Sequence, residues 1–108
     1  MVRNVATAIP LPLDDIAALC RRHQVVELAA FGSILRDDFG PDSDIDFLAR
    51  FRDDDLGPWM SRLQDFEQDL ERLLGRRVDV VDWNGIERSR NPYRRHGILS
   101  SRQLLYAA

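Results

Sequence analysis

The chain has 108 residues, 44% of them apolar and 31% charged, with a formal net charge of −3. A chain of this size hides roughly 65% of the surface it would expose unfolded, which excludes disorder and allows a true core. The acidic balance argues against a general nucleic-acid binder, so no direct, stable nucleic-acid binding is expected. A single cysteine cannot close an internal disulfide, and no apolar run is long enough to span a membrane. One domain over residues 1–108, in the cytoplasm and away from membranes, is the expectation. All 15 basic residues are Arg. Without Lys there is no P-loop and no Schiff-base lysine. One Cys and two distant histidines, His23 and His96, do not make a zinc site. Chemistry must then rest on carboxylates, hydroxyls and Arg.

Residues 1–12 read as an irregular lead-in, punctuated by Pro10 and Pro12. A helix is predicted from Leu13 to His23, with Asp14 and Asp15 early and Arg21, Arg22 and His23 late, which complements the helix dipole. Ile16, Leu19 and Cys20 share its apolar face, and Cys20 reads as a small buried residue rather than a nucleophile. Val25–Phe31 is a strand that ends at Gly32-Ser33, followed by a short helical turn from Ile34 and a loop at Gly40-Pro41. Asp44–Ala49 is a second strand. Gly57-Pro58 opens a helix in which Trp59, Leu63, Phe66, Leu70 and Leu73 form a core stripe, closed by Gly75 as a left-handed cap. Arg77–Asp82 is a third strand, and Asn91-Pro92 starts a last helix expected to run to about Tyr106. The order implies an α/β or α+β architecture, a small mixed sheet covered by helices.

Asp44 and Asp46 are two residues apart on a predicted strand, so both side chains point to one face. Their Cα atoms lie about 6.6 Å apart on such a strand, and two charges at that distance repel by about 2.5 kcal/mol at an effective dielectric near 20. A metal site uses such a pair, since Mg²⁺ takes hard oxygen ligands and keeps several waters. Asp79 sits between Val78 and Val80 in the third strand and reaches the same pocket if the second and third strands are neighbours. Three carboxylates can hold two Mg²⁺ ions about 3.5–4 Å apart for in-line attack at phosphorus. The plainer alternative is that some of these acids merely face solvent.

Gly32-Ser33 stands at a strand end and the start of a helical turn, where free N–H groups suit a phosphate, and the Ser33 hydroxyl adds a donor. Arg36, one turn on, presents a charged fork to a phosphate oxygen. Alone, Gly32-Ser33 would be an ordinary turn. Asp42, Asp44 and Asp46 mimic the start of a calcium loop, but Phe47 stands where the sharp turn needs Gly, so an EF-hand is excluded.

Taken together, Gly32-Ser33-x-x-Arg36, then Ser43-Asp44-Ile45-Asp46-Phe47, then Val78-Asp79-Val80-Val81 resembles the minimal nucleotidyltransferases of the polymerase-β-like superfamily. Many of these serve as antitoxins of two-component toxin–antitoxin pairs. The resemblance implies a polymerase-β-like fold and transfer of AMP from ATP with release of pyrophosphate. It implies that Asp44 and Asp46 hold the metals, that Asp79 completes the metal site and accepts the attacking hydroxyl's proton, and that Gly32 and Ser33 hold the triphosphate. The implied target is a HEPN-type ribonuclease toxin, modified on a tyrosine hydroxyl. Two positions depart from the family pattern: Asp37 where Gly is common and Ile34 where Arg is frequent. The carboxylate triad is complete, which predicts an active enzyme. The competing reading is an antitoxin without chemistry that masks its toxin by binding, which an acidic surface permits.

Overall fold

Residues 7–53 and 55–108 are described in a computed structural model, so the lead-in before Thr7 lies outside the described residues. Helix α1 (Leu13–Arg22) carries Asp14 and Asp15 in its first turn and Arg21 and Arg22 in its last, and it buries Ile16, Ala17 and Cys20. The chain turns at Gln24 into strand β1 (Val25–Phe31), and a one-turn 3-10 helix, Gly32–Leu35, follows. Strand β2 (Ile45–Phe51) leads through a second short 3-10 turn to helix α2 (Ser61–Leu74). Gly75 closes α2 at φ +68, the left-handed cap the sequence predicts. Strand β3 (Val78–Asp82) then runs straight into the short helix α3 (Trp83–Glu87). Helix α4 (Pro92–Leu99) and strand β4 (Arg102–Ala107) complete the order.

The four strands form one sheet in the order β3-β2-β1-β4. β1 is antiparallel to both β2 and β4, while β2 and β3 are parallel, joined by α2 as the crossover. This is a mixed sheet with helices on it, as expected from the sequence.

Alternation along β2 sorts the two faces. Ile45, Phe47, Ala49 and Phe51 are buried with Ile16, Cys20, Leu63, Phe66 and Leu70, so α1 and α2 cover that face. Leu48 points the other way, into a smaller cluster with Ala29, Trp83 and Ile86 beneath α3. On that second face Arg50 donates to Glu27, Asn84 and Glu87 and stacks over Trp83, tying α3 to β1 and β2. Asp46 lies on the same face, at the start of β2.

The edge strand β3 is closed off by carboxylates. The N–H groups of Val78 and Val80 donate to Glu71 Oε2 (3.0 Å) and Glu67 Oε2 (2.9 Å) of α2. Glu67 and Glu71 are one helical turn apart, and Val78 and Val80 are one strand repeat apart, so the two periods match. An outer row of backbone donors is thereby satisfied without another strand.

Two expectations are overturned. The last helix does not run to Tyr106: α4 stops at Leu99 and residues Arg102–Ala107 pair with β1. Its short apolar run, Leu104-Leu105, suits either structure by pattern, and the open edge of β1 decides for the strand, burying Leu105. Trp59 does not belong to the core stripe, being 92% exposed. The helix begins at Ser61, after Trp59 and Met60 adopt left-handed backbone angles that turn Trp59 outward. The other members hold: Leu63, Phe66 and Leu70 are buried and Leu73 packs against them.

Candidate active site

The parallel register places Asp46 opposite Asp79. Neighbouring strands are about 4.8 Å apart, so the two carboxylates rise side by side from the sheet. On the other flank Phe31 pairs with Asp46, and Gly32 follows at once. The sheet therefore presents a row: Gly32 at the end of β1, Asp46 at the start of β2, Asp79 near the start of β3.

Gly32 is required there for two reasons. Its φ of +76 is a left-handed angle, which costs a side-chain-bearing residue about 1–2 kcal/mol. A Cβ in its place would lie 2.5 Å from Asp46 Oδ2. Ser33 stays close to the row, its hydroxyl donating to the Asp44 carbonyl oxygen at 3.4 Å. The turn ends as the Arg36 N–H donates to the Ser33 carbonyl.

Asp44 precedes β2, one residue outside the strand where the sequence reading placed it. Its Oδ1 is 3.2 Å from Arg77 Nε. Among the described residues no group of three or more His, Cys, Asp or Glu side chains is gathered to hold a metal ion. Both partners of the Asp44–Arg77 pair are exposed, and such pairs are worth about 0–1 kcal/mol.

The electrostatics of Asp46 fit a cation. Burial raises its pKa above the ordinary carboxylate range, and the charges of Asp79 and then Asp44 raise it further. Arg36 acts in the opposite direction. Three carboxylates that repel one another across a half-buried aspartate, all with hard oxygen donors, suit Mg²⁺. Asp44, Asp46 and Asp79 are the residues that would hold it.

Two hollows flank the row. One, of about 400 Å³, is lined by Gly32, Arg36, Gly97, Ile98 and Ser101. The other, of about 480 Å³, lies on the far side along Asp79. Arg36 is exposed and pairs with Asp38 at 3.2 Å, a contact weak enough to be exchanged for a phosphate. The structure thus brings Gly32, Ser33, Asp46 and Asp79 together, with Asp44 and Arg36 at the rim, each held by a weak exposed pair.

Sequence reasoning missed three contributors. Glu67 and Glu71 hold β3, and their four-residue spacing on a predicted helix was the available signal. Helix α3 was not predicted; Asp82 ends β3 as read from the sequence, and its carboxylate also accepts from the Gly85 N–H and caps α3. His23, at the end of the predicted helix, caps α1, is 15% exposed in its side chain and sits 2.6 Å from Asp69.

The chain is similar to known proteins in sequence and in fold. The sequence pattern of the Nucleotidyltransferase domain family matches residues 16–105. The protein adenylyltransferase MntA of Thermococcus cleftensis is 34% identical over 79 residues, covering 66% of this chain and 77% of that protein. A solved structure provisionally described as a minimal nucleotidyltransferase superposes with a TM-score of 0.63 at 33% identity, over 83% of this chain and 85% of that one. A chain from the complex of tri-AMPylated Shewanella oneidensis HEPN toxin with MNT antitoxin shares the fold, with a TM-score of 0.59 and 22% identity over 89% of this chain and 70% of that one. Carboxylate row, glycine turn and sequence pattern all agree: the chain belongs to the nucleotidyltransferase domain family and is a minimal nucleotidyltransferase.

Proposed function

We propose that this nucleotidyltransferase transfers AMP from ATP to a tyrosine hydroxyl of a HEPN-type toxin and thereby acts as its antitoxin. The observation that carries the proposal is the row Gly32–Asp46–Asp79 across three neighbouring strand ends, an arrangement that suits phosphate binding beside paired carboxylates. The relative named as a protein adenylyltransferase and the toxin–antitoxin complex of the same fold support the choice of nucleotide and acceptor.

In this reading Gly32 and Ser33 hold the β- and γ-phosphates against the open N–H groups of the turn. Arg36 leaves Asp38 to fork a phosphate oxygen. Two Mg²⁺ ions, held by Asp44, Asp46 and Asp79, would supply the positive charge that stabilises the phosphates during displacement. The phenolic oxygen attacks the α-phosphorus, a new O–P bond forms, and the α–β phosphoanhydride bond breaks. Pyrophosphate leaves on the Gly32 side. Asp79 takes the phenolic proton.

The test is incubation of the chain with a purified HEPN-type toxin, α-labelled ATP and Mg²⁺. Label on the toxin, lost in Asp46→Asn and in a toxin whose acceptor tyrosine is replaced by Phe, is the expected result. A toxin that is bound and inhibited without label would overturn transfer and favour neutralisation by masking.

A further inference from the structure

The hollow beside Asp79 has a distinct character. Met60 from the turn before α2, Leu63 of α2, Val81 of β3 and Ile86 of α3 form apolar walls, with Asp79 and the exposed Arg94 among its polar groups. Gly32 and Arg36 do not line it; they line the other hollow, across Asp46. In-line displacement needs the attacking atom opposite the leaving group. With the leaving pyrophosphate on the Gly32 side, the attacker must enter from the Asp79 side.

The turn that brings Met60 to this hollow, with Trp59 just before it, is unusual. Trp59 is 92% exposed and Met60 46%, and both hold left-handed backbone angles (φ 56 and 59). Each such angle costs about 1–2 kcal/mol at a residue with a side chain. The preceding loop holds the turn in place. Arg62 donates to Asp53 Oδ1 (2.7 Å), to the Asp55 carbonyl and to Gln24 Oε1 (3.2 Å), and its guanidinium stacks over Phe51. The Gly57 N–H donates to Asp55 Oδ1 (2.9 Å), and the Arg62 N–H donates to the Leu56 carbonyl. A strained turn that is cross-linked from behind and places a large aromatic in solvent has the form of a docking element.

We infer that the hollow along Asp79, with Met60 at its edge and the exposed Trp59 beside it in the chain, is the docking site of the protein acceptor. Its occupant is a segment bearing a tyrosine, whose ring lies against Met60, Leu63 and Ile86 and whose hydroxyl faces Asp79. This rests on the transferase reading above and adds where the acceptor binds and what recognises it. Apolar walls favour a phenol over the hydroxyl of Ser or Thr, which would leave that surface unfilled. Arg94 complements an acidic group near the tyrosine. Trp59 grips the partner's surface outside the hollow, as exposed tryptophans at interfaces do.

The experiment measures two quantities with a purified HEPN-type toxin: its affinity for the chain without nucleotide, and KM for the toxin in AMP transfer. Trp59→Ala removes a side chain that is already in solvent, so the fold is not at risk; Met60→Glu is the second variant. Each is expected to weaken toxin binding and raise KM for the toxin about tenfold, a modest loss for an interface aromatic, with ATP affinity unchanged. Transfer in the wild type with both variants unaltered overturns the docking site while leaving the transferase intact. Toxin binding that the variants weaken, with no transfer in any form, upholds the docking site and overturns the transferase reading. Neither binding nor transfer in the wild type overturns both.

Discussion

Gly32 and Asp46 are in contact across two strand ends, so closely that a Cβ on Gly32 would lie 2.5 Å from Asp46 Oδ2. The glycine turn and the Asp46 carboxylate are therefore packed together, and a side chain added at Gly32 must move one of them.

Gly32→Ala combines a left-handed backbone angle with that clash. Asp46 must rotate or the turn must move. A displacement near 1 Å in a transferase site costs about 100-fold in rate, and the left-handed angle costs about 1–2 kcal/mol of stability. AMP-transfer kinetics beside urea denaturation measure the two losses. A rate within threefold of wild type would show that the contact is dispensable.

Asp46 sets a pH dependence of definite sign. Burial, then Asp79 and Asp44, raise its pKa above the ordinary 3.8. Between 3.8 and the raised folded value, the folded chain keeps a proton that the unfolded chain has released. This group's contribution to stability therefore falls as pH rises through that window, and its cost is complete above it. Asp46→Asn carries no such cost. The variant is expected to be more stable than wild type at neutral pH, and the gap is expected to shrink below pH 3.8. Denaturation at both pH values checks the order, and a wild type more stable at neutral pH contradicts it. Mg²⁺ opposes the same repulsion, so it raises the melting temperature of wild type more than that of the variant.

Glu67 and Glu71 act through β3. Their carboxylates take the N–H groups of Val80 and Val78, on either side of Asp79. Burial raises the Glu67 pKa, against the lowering effect of the Val80 hydrogen bond. Glu67→Ala leaves an edge donor without its acceptor and is expected to lose about 1.5–3 kcal/mol, the range for a hydrogen bond to a charged group. Glu67→Gln keeps an acceptor oxygen and is expected to recover most of it. Hydrogen exchange at the Val80 amide separates a local release of β3 from general destabilisation. Unchanged exchange in Glu67→Ala would remove the assigned role.

Much of this fold was legible because local chemistry agreed with the final structure. The charge polarity of Leu13–Arg22, the β-branched run at Val78–Val81 and the Gly75 cap are short-range signals, and each element formed where those signals lay. Asp46 and Asp79 stood out because carboxylates within apolar strands break a local rule, whereas Gly32, an ordinary turn by itself, stood out only in combination with them. Residues 102–107 and Trp59 were misread because their local patterns were ambiguous. Leu104-Leu105 fits a helix or a strand, and Trp59 continues a helical repeat whose first turn the backbone at Met60 never makes.

The sequence by itself limited which residues are candidates for the chemistry, since only carboxylates, hydroxyls and arginines were available and their spacing limits which faces they share. Tertiary structure alone decided how they meet. The parallel register of β2 and β3 sets Asp79 beside Asp46, the β1–β2 register brings Gly32 against it, and the open edge of β1 draws residues 102–107 out of the predicted helix. Pairing between strands is a long-range choice, made by backbone hydrogen bonds and burial between segments far apart in the chain, and no local pattern encodes it.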